Sequence, residues 1–446
     1  MIEQKEIDTL TGALQTLAGG FADLPPFEQE HDWEAMAVVL NEAAEKMQNN
    51  YPYHHPLYAG QMLKPPHPIA RMAYAMSMWI NPNNHALDGG RASSAMELEC
   101  IAALGKMFGL EKPLGHLCGG GTMANLEALW VAGRLNPDKK IVASSQAHYT
   151  HSRISEVLGL DFSTVPATPD GRMDVIELEE LLECGGIGTV VATLGNTGIG
   201  AVDPLDEILA LRKRYDFRIH VDAAYGGYFK ISSELGPGAR KAFDQIAEVD
   251  SIVIDPHKHG LQPYGCGCIL FRDPRVGTLY KHDSPYTYFS SNELHLGEIS
   301  LECSRPGASA VALWATQKLL PMTPGGKFSK ELDKSLLAAR GLFERIGNSK
   351  NFQALMQPEI DIVIYGVQAE DASTASKRAN EIFDRAAKKN LHLALITLPA
   401  SMISQYWPDL ILDQDSVTCL RSCLMKPEHL DWLEDIAAIL EDAVNE

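Results

Sequence analysis

The chain has 446 residues, 45% apolar and 22% charged, enough for one large hydrophobic core and a smaller second one. Its formal charge of −20, with no run of Lys and Arg, argues against a nucleic-acid partner, because phosphate backbones are bound by basic surfaces. The start, Met1-Ile-Glu-Gln-Lys-Glu-Ile, lacks the basic-then-apolar pattern of a secretory signal, and no segment approaches the roughly 20 uninterrupted apolar residues of a membrane span. With eight scattered cysteines, the expectation is a cytoplasmic protein with reduced thiols and no membrane partner.

In chain order, residues 1–55 read as a helical arm preceding a large domain over 56–322. Two helices, about Ser94–Phe108 and Thr122–Arg134, flank a glycine-rich segment. Short apolar runs then alternate with amphipathic stretches, the pattern of an α/β fold with a parallel sheet. Strands are expected at Ile141–Ser145, Thr189–Leu194, Arg218–Asp222, Ser251–Asp255 and Gly267–Arg272. Between them a helix over Pro204–Tyr215 takes Asp203 as N-cap and Pro204 at its first position. The turn-rich Pro321-Met-Thr-Pro-Gly-Gly leads into a smaller α+β domain over 323–446. It comprises a helix near Ser329–Ile346, a strand at Ile362–Tyr365, a helix over Ser373–Lys389, strands near Leu391–Thr397 and Val417–Met425, and a closing helix from Pro427 to Val444.

Four segments carry chemistry. In Ser251-Ile-Val-Ile-Asp-Pro-His-Lys-His-Gly, an apolar strand runs straight into Lys258, and a lysine in such surroundings is costly unless paired or used chemically. Taken alone it reads as a surface lysine just past a strand. In Arg218-Ile-His-Val-Asp-Ala-Ala-Tyr, a strand delivers Asp222 to its carboxyl end, where open α/β sheets bind ligands, and the small Ala223 and Ala224 leave room for something flat. Asp222 suits the partner of a protonated pyridine nitrogen, and equally suits a helix N-cap. In His116-Leu-Cys-Gly-Gly-Gly-Thr-Met-Ala-Asn, Gly120, Gly121 and Thr122 open a helix whose N-terminus could cradle a phosphate, although the spacing is neither that of a P-loop nor of a dinucleotide fold. In Gln146-Ala-His-Tyr-Thr-His-Ser-Arg, His148 follows a strand and could stack on a flat ring, or serve as an ordinary hydrogen-bonded histidine. Cys266 and Cys268 lie in what reads as a core strand, without the spacing or second pair of a zinc site, so no metal is expected.

The order of these pieces is that of fold-type I pyridoxal-phosphate enzymes. More narrowly, the chain resembles the group II pyridoxal-dependent decarboxylases, which include glutamate, aromatic amino acid, tyrosine and diaminobutyrate enzymes. The resembling residues include His55-Pro, Tyr58-Ala-Gly-Gln, Asn81-Pro-Asn-Asn, Glu97-Leu-Glu, Gly120-Gly-Thr, His148, Thr193-Leu-Gly-Asn-Thr-Gly, His220-Val-Asp-Ala-Ala-Tyr-Gly, Asp255-Pro-His-Lys, Ser304-Arg-Pro-Gly and Leu420-Arg-Ser. They span roughly positions 54 to 425. The resemblance implies a large domain with a mostly parallel seven-stranded sheet plus a smaller C-terminal α+β domain.

It also implies roles. Lys258 forms a Schiff base with pyridoxal 5'-phosphate, Asp222 pairs with the ring nitrogen, Ala224 lies under the ring and His148 stacks on its other face. Gly120, Gly121 and Thr122 hold the phosphate, with His257 and Thr197 beside the cofactor. Ser304 reaches the phosphate of a neighbouring subunit, which makes a homodimer with shared active sites. Tyr286 or Tyr288 returns a proton to the substrate carbon. Arg421 holds a substrate carboxylate, and Gln61 and His55 lie near the substrate; Gln61 hints at an acidic or polar side chain, and an aromatic one stays open. The implied reaction is decarboxylation of a free L-amino acid to its amine. Rival outcomes are transamination, aldehyde-lyase cleavage or aldehyde synthesis on the same cofactor, and a rival of another class is a non-catalytic cofactor-binding scaffold. His259, directly after the lysine, shapes the pocket in a way the sequence leaves open.

Overall fold

Strands bearing continuous apolar runs assemble the centre of the molecule. The computed structural model describes residues 3–85, 89–280 and 299–445. Among these, seven strands form one sheet: β1 (Leu114–Cys118), β2 (Lys140–Ser144), β3 (Phe162–Val165), β4 (Ile187–Thr193), β5 (Arg218–Asp222), β6 (Ser251–Ile254) and β7 (Gly267–Phe271). Their spatial order is β1-β7-β6-β5-β4-β2-β3. The run from β3 to β6 is parallel, whereas β7 is antiparallel to both its neighbours. Every residue of β4 is buried, as expected of a parallel strand covered by helices on both faces. The sheet therefore presents the carboxyl ends of β1, β2, β4, β5 and β6 along one edge, which is where ligands bind in such folds.

A second, antiparallel sheet has the order β10-β11-β9-β8, from β8 (Phe352–Ala354), β9 (Ile362–Val367), β10 (Ala394–Pro399) and β11 (Ser416–Cys423). Helices Lys327–Gly347, Ala372–Lys388 and Leu433–Asn445 cover it around a core that includes Leu342, Tyr365, Ile382, Leu420 and Ile436. A larger apolar cluster does not stop at the boundary between the sheets. It joins Val190, Ile219 and Ile254 of the first sheet to Ile362, Ile364 and Val417 of the second. At the N-terminus, helices Gln4–Gly19 and Trp33–Met47 bury none of their residues, and an ion pair of 2.7 Å from Glu6 to Arg71 ties the first to the body. Among the described residues no helix is long and apolar enough to cross a membrane.

Several local expectations are corrected. Asp203 does not cap the helix after it: its two carboxylate oxygens accept the N–H groups of Met173 and Thr193, each at 2.7 Å, and burial pushes its pKa up to about 7. That helix spans Leu205–Leu211 with Pro204 in the capping position, and looser turns continue to Tyr215, whose N–H reaches Leu211 O at 3.0 Å. The closing helix is interrupted. Pro427–Leu430 is a 3-10 turn because His429 faces inward, its Nδ1 accepting the Lys426 N–H at 3.2 Å, and the helix restarts at Leu433. The strand expected near Leu391–Thr397 begins at Ala394, since the His392 N–H and C=O are engaged by Leu57 and Ala59.

Candidate active site

The carboxyl edge of the first sheet opens into a cavity of about 590 Å³. Gly120, Gly121, Thr122, His148, Thr197, Asp222, Ala224, His257 and Lys258 all line it, so nine residues from five separate segments of the sequence meet at one place. Their neighbours in the wall include Asn125, Thr150, Thr193, Tyr225, Asp255, Tyr264 and Glu302.

One wall follows β1. Gly120 has φ 146°, a region open to glycine, and the helix Gly121–Leu135 begins there without a side-chain cap, leaving first-turn N–H groups for a ligand. The turn is packed to the limit: a Cβ on Gly121 would stand 2.8 Å from Asp255 Oδ2, and one on Gly267 would stand 2.5 Å from the Gly120 backbone. The Gly119 N–H donates to Glu302 Oε2 at 3.0 Å, so this loop already binds an anionic oxygen.

Beneath it, β5 ends on Asp222, which is 5% exposed. Its Oδ2 accepts from His151 Nε2 at 2.9 Å and from Asn125 Nδ2 at 3.1 Å, and its Oδ1 accepts the Ala224 N–H at 3.1 Å. Burial alone would raise the Asp222 pKa. The hydrogen bond from His151, aided by the Ala224 N–H, reverses this and holds the carboxyl well below its usual range.

Lys258 lies one turn beyond β6, its Nζ 3.1 Å from Asp255 Oδ2. His257 is oriented by its Nδ1, 2.8 Å from Cys266 O, and its ring lies 4.7 Å from that of Tyr264. His148 is half-buried after β2, with Nδ1 2.8 Å from Thr150 Oγ1. Burial holds its imidazole below the ordinary pKa, outweighing the pull of the Asp222 charge. His259 points away from this cavity into the core, against Phe229 and Tyr225, with Nε2 3.1 Å from Asp361 Oδ2.

Other expected residues stand apart. Arg421 is buried, but it does not line the cavity. Its Nε and Nη2 donate to Gly198 O and Thr197 O, both at 2.7 Å, and Nη1 to Gly60 O at 3.4 Å, so the guanidinium braces the Thr197 turn from behind. Gln61 is exposed and outside the cavity wall. His55 also lies outside the wall, its Nδ1 accepting the Leu57 N–H at 3.1 Å and its ring meeting Trp432 edge-on. Ser304 is exposed, its Oγ accepting from Asn83 Nδ2 at 3.2 Å. Tyr286 and Tyr288 lie outside the described residues.

The fit to pyridoxal phosphate can be tested on the atoms left over. Thr193 Oγ1 and Asp255 Oδ1, on two cavity-lining residues, are buried and have no hydrogen-bond partner among the described residues, a costly condition that a polar ligand relieves. A glycine cradle at a helix start, an ionised buried carboxylate, a small Ala224 floor and an amine suit a flat, phosphate-bearing aldehyde with a basic ring nitrogen. The residues fit. Asn125, His151, Asp255 and Glu302 were not foreseen as site residues, although the first three sit inside motifs quoted above; what was missing was knowledge of which side chain in each motif faces inward.

Comparison with known proteins agrees with this geometry. Residues 50–368 match the pyridoxal-dependent decarboxylase conserved domain. A probable L-tyrosine/L-aspartate decarboxylase of Methanothermobacter thermautotrophicus is 29% identical over 329 residues, covering 72% of this chain and 86% of that protein. Among solved structures, Oryza sativa TDC with PLP and tryptamine superposes with a TM-score of 0.79 at 18% identity, covering 99% of this chain and 97% of the other. Mouse CSAD in apo form gives 0.77 at 21% identity, with 98% and 92% covered. The chain belongs to the pyridoxal-dependent decarboxylase family. It is a carboxy-lyase of fold type I, and pyridoxal phosphate is its cofactor.

Proposed function

We propose that this enzyme decarboxylates a free L-amino acid to the corresponding amine in the 590 Å³ cavity, with Lys258 as the amine that carries the cofactor. The observation that carries the reading is the convergence of the Asp222 carboxylate, the Lys258 amine and the Gly120–Thr122 helix start on one cavity. Bound pyridoxal phosphate supplies an electron sink for the pair released when the Cα–carboxylate bond breaks. Asp222, kept ionised, stabilises positive charge at the ring nitrogen, and the first-turn N–H groups of Gly121–Leu135 hold the phosphate dianion. Asp255 orients Lys258 Nζ from 3.1 Å. His148, kept uncharged by burial, offers a flat face without adding a cation near the ring. Side chains that would orient the substrate carboxylate against the bound cofactor would decide decarboxylation over its rivals.

We further infer a homodimer whose sites are shared. Exposed apolar residues on the N-terminal helices, Trp33 at 71% and Val38 at 68%, support a covering partner, and Ser304 stands exposed beside Asn83 where a second chain could be met. The names of the relatives put tyrosine and aspartate first among substrates to try. The decisive experiment offers purified holoenzyme the common amino acids and diaminobutyrate, reading CO2 and amine by mass spectrometry, with borohydride trapping of the cofactor. One strong amine product with the adduct on Lys258 supports the reading. Aldehyde or keto-acid products would replace it with another pyridoxal reaction, and no adduct on Lys258 would remove the lysine from its role.

A further inference from the structure

The helix Thr150–Leu158 starts beside the end of β5, and its second residue is a histidine without an assigned role. His151 is 1% exposed, with Nε2 2.9 Å from Asp222 Oδ2. Its Nδ1 is buried and has no hydrogen-bond partner among the described residues. These two facts fix the tautomer. A hydrogen on Nδ1 alone would be buried with nothing to accept it, and would set the lone pair of Nε2 against that of the carboxylate; a hydrogen on Nε2 is donated to Asp222.

The other side of Asp222 is fixed in the same sense. His220 Nε2 is 2.8 Å from Asn125 Oδ1 and its Nδ1 is 2.9 Å from Ser251 Oγ. Burial drives the His220 pKa down to about 3, so its ring is neutral and donates one hydrogen. With Nε2–H given to Asn125 Oδ1, the Asn125 amide must turn its NH2 group toward Asp222, as the 3.1 Å contact shows. Two side-chain donors therefore hold Oδ2, one backbone donor meets Oδ1, and the remaining capacity of the carboxylate faces the cavity. Asn125 is an uncharged amide anchored through His220; His151 is the shorter of the two bonds and the group that contributes most to keeping Asp222 ionised. Other titratable groups around the pair include His148, His220, Lys258 and Asp255, with Arg218 beyond His220.

We propose that His151 is a positioning residue for the cofactor: its Nε2–H holds Asp222 ionised and aimed, so that the ring nitrogen of bound pyridoxal phosphate keeps its proton. This rests on the reading of Asp222 as the partner of that nitrogen. The same helix start would then supply two groups to the cofactor site, His148 just before it and, through Asp222, His151 within it. Losing the His151 donor leaves Asp222 easier to protonate in its buried setting, and a ring without its proton withdraws electrons less and makes the imine to lysine more basic.

The test compares holoenzymes of wild type, His151→Phe and His151→Gln, the last keeping an N–H donor at similar reach. In His151→Phe the cofactor dissociation constant is expected to rise about tenfold or more, the effect of losing one hydrogen bond to a charged group. The pH midpoint of the cofactor's visible absorption band should move upward by about one unit, and kcat should fall while KM changes less. His151→Gln should lie between the Phe variant and wild type on all three. A folded His151→Phe enzyme, with wild-type circular dichroism and a normal adduct on Lys258, whose dissociation constant and band midpoint match wild type overturns the proposal. Independently of any variant, proton NMR of wild type with 15N-histidine should place the His151 hydrogen on Nε2 in slow exchange, and a hydrogen on Nδ1 alone overturns it. If wild type gives no reducible adduct on Lys258, the underlying reading fails instead, and is recognised by that result.

Discussion

Asp222 has every donor around it committed, which makes its oxygens irreplaceable. In Asp222→Asn, an amide oxygen can satisfy His151 and Asn125, but the amide nitrogen then faces the Ala224 N–H and a ring N–H, donor against donor. The expected loss in kcat/KM is about a hundredfold or more, measured on whichever amino acid the panel identifies. Arg421 makes a different prediction. Because it braces the Thr197 and Gly198 carbonyls, Arg421→Met should lower stability by about 3 kcal/mol in denaturant titration. A residue that only gripped substrate would raise KM and leave the midpoint alone. That Lys258, Asp222 and His148 stand at the sheet's carboxyl edge was legible from strands followed by small or turn residues, since Asp222 ends β5 and the other two shortly follow β6 and β2. The carbonyl partners of Arg421 were not legible, because a position on a strand does not reveal what lies across from it, and these belong to a loop more than 200 residues earlier.

Between elements, buried ion pairs hold the glycine loop in place. Arg305 Nη1 meets Glu97 Oε1 at 2.5 Å and Leu117 O at 2.7 Å, while its Nη2 reaches Asn84 O at 3.0 Å. Three of the quoted motifs thus converge as a brace under β1 and are not themselves part of the cavity wall. Glu97→Gln should cost about 3 kcal/mol in a chemical melt, since one partner of a buried pair is left charged. Across the helix Gly121–Leu135, His116 Nε2 is 2.9 Å from Glu127 Oε2. Burial lowers the His116 pKa, but Glu127 overrides it, so the folded value stands above the usual 6.5. A raised folded pKa gives stability in full below the unfolded value, lost as pH rises through the folded one. The melting-temperature penalty of Glu127→Gln should accordingly be larger at pH 6 than at pH 9, and an equal penalty at both would show His116 to be neutral throughout. Among elements, the strands of the parallel run were legible where they were apolar and buried, as in the four residues of β6. β1 and β3 were not: β3 has only four residues, one of them buried, and β1 is five residues hidden between a helix and the glycines.

At the scale of the whole molecule, the N-terminal helices are the least self-sufficient part. Deleting residues 1–50 should convert the inferred dimer into monomers in sedimentation velocity at micromolar concentration, and an unchanged dimer would show that the arm does not cover a partner. The division into a large and a small sheet was readable from the change of pattern after Pro321-Met-Thr-Pro-Gly-Gly, but not the apolar cluster that crosses it, because packing between distant segments leaves no periodic trace. That cluster bears on how such a chain can be inherited. A recombination that kept residues up to the turn at 321–326 and took the remainder from a distant relative would cut through shared side-chain packing, with Ile219 and Ile254 on one side and Ile364 and Val417 on the other. Substitutions in one half of this cluster are therefore expected to call for matching changes in the other, whatever modularity the sequence pattern suggests.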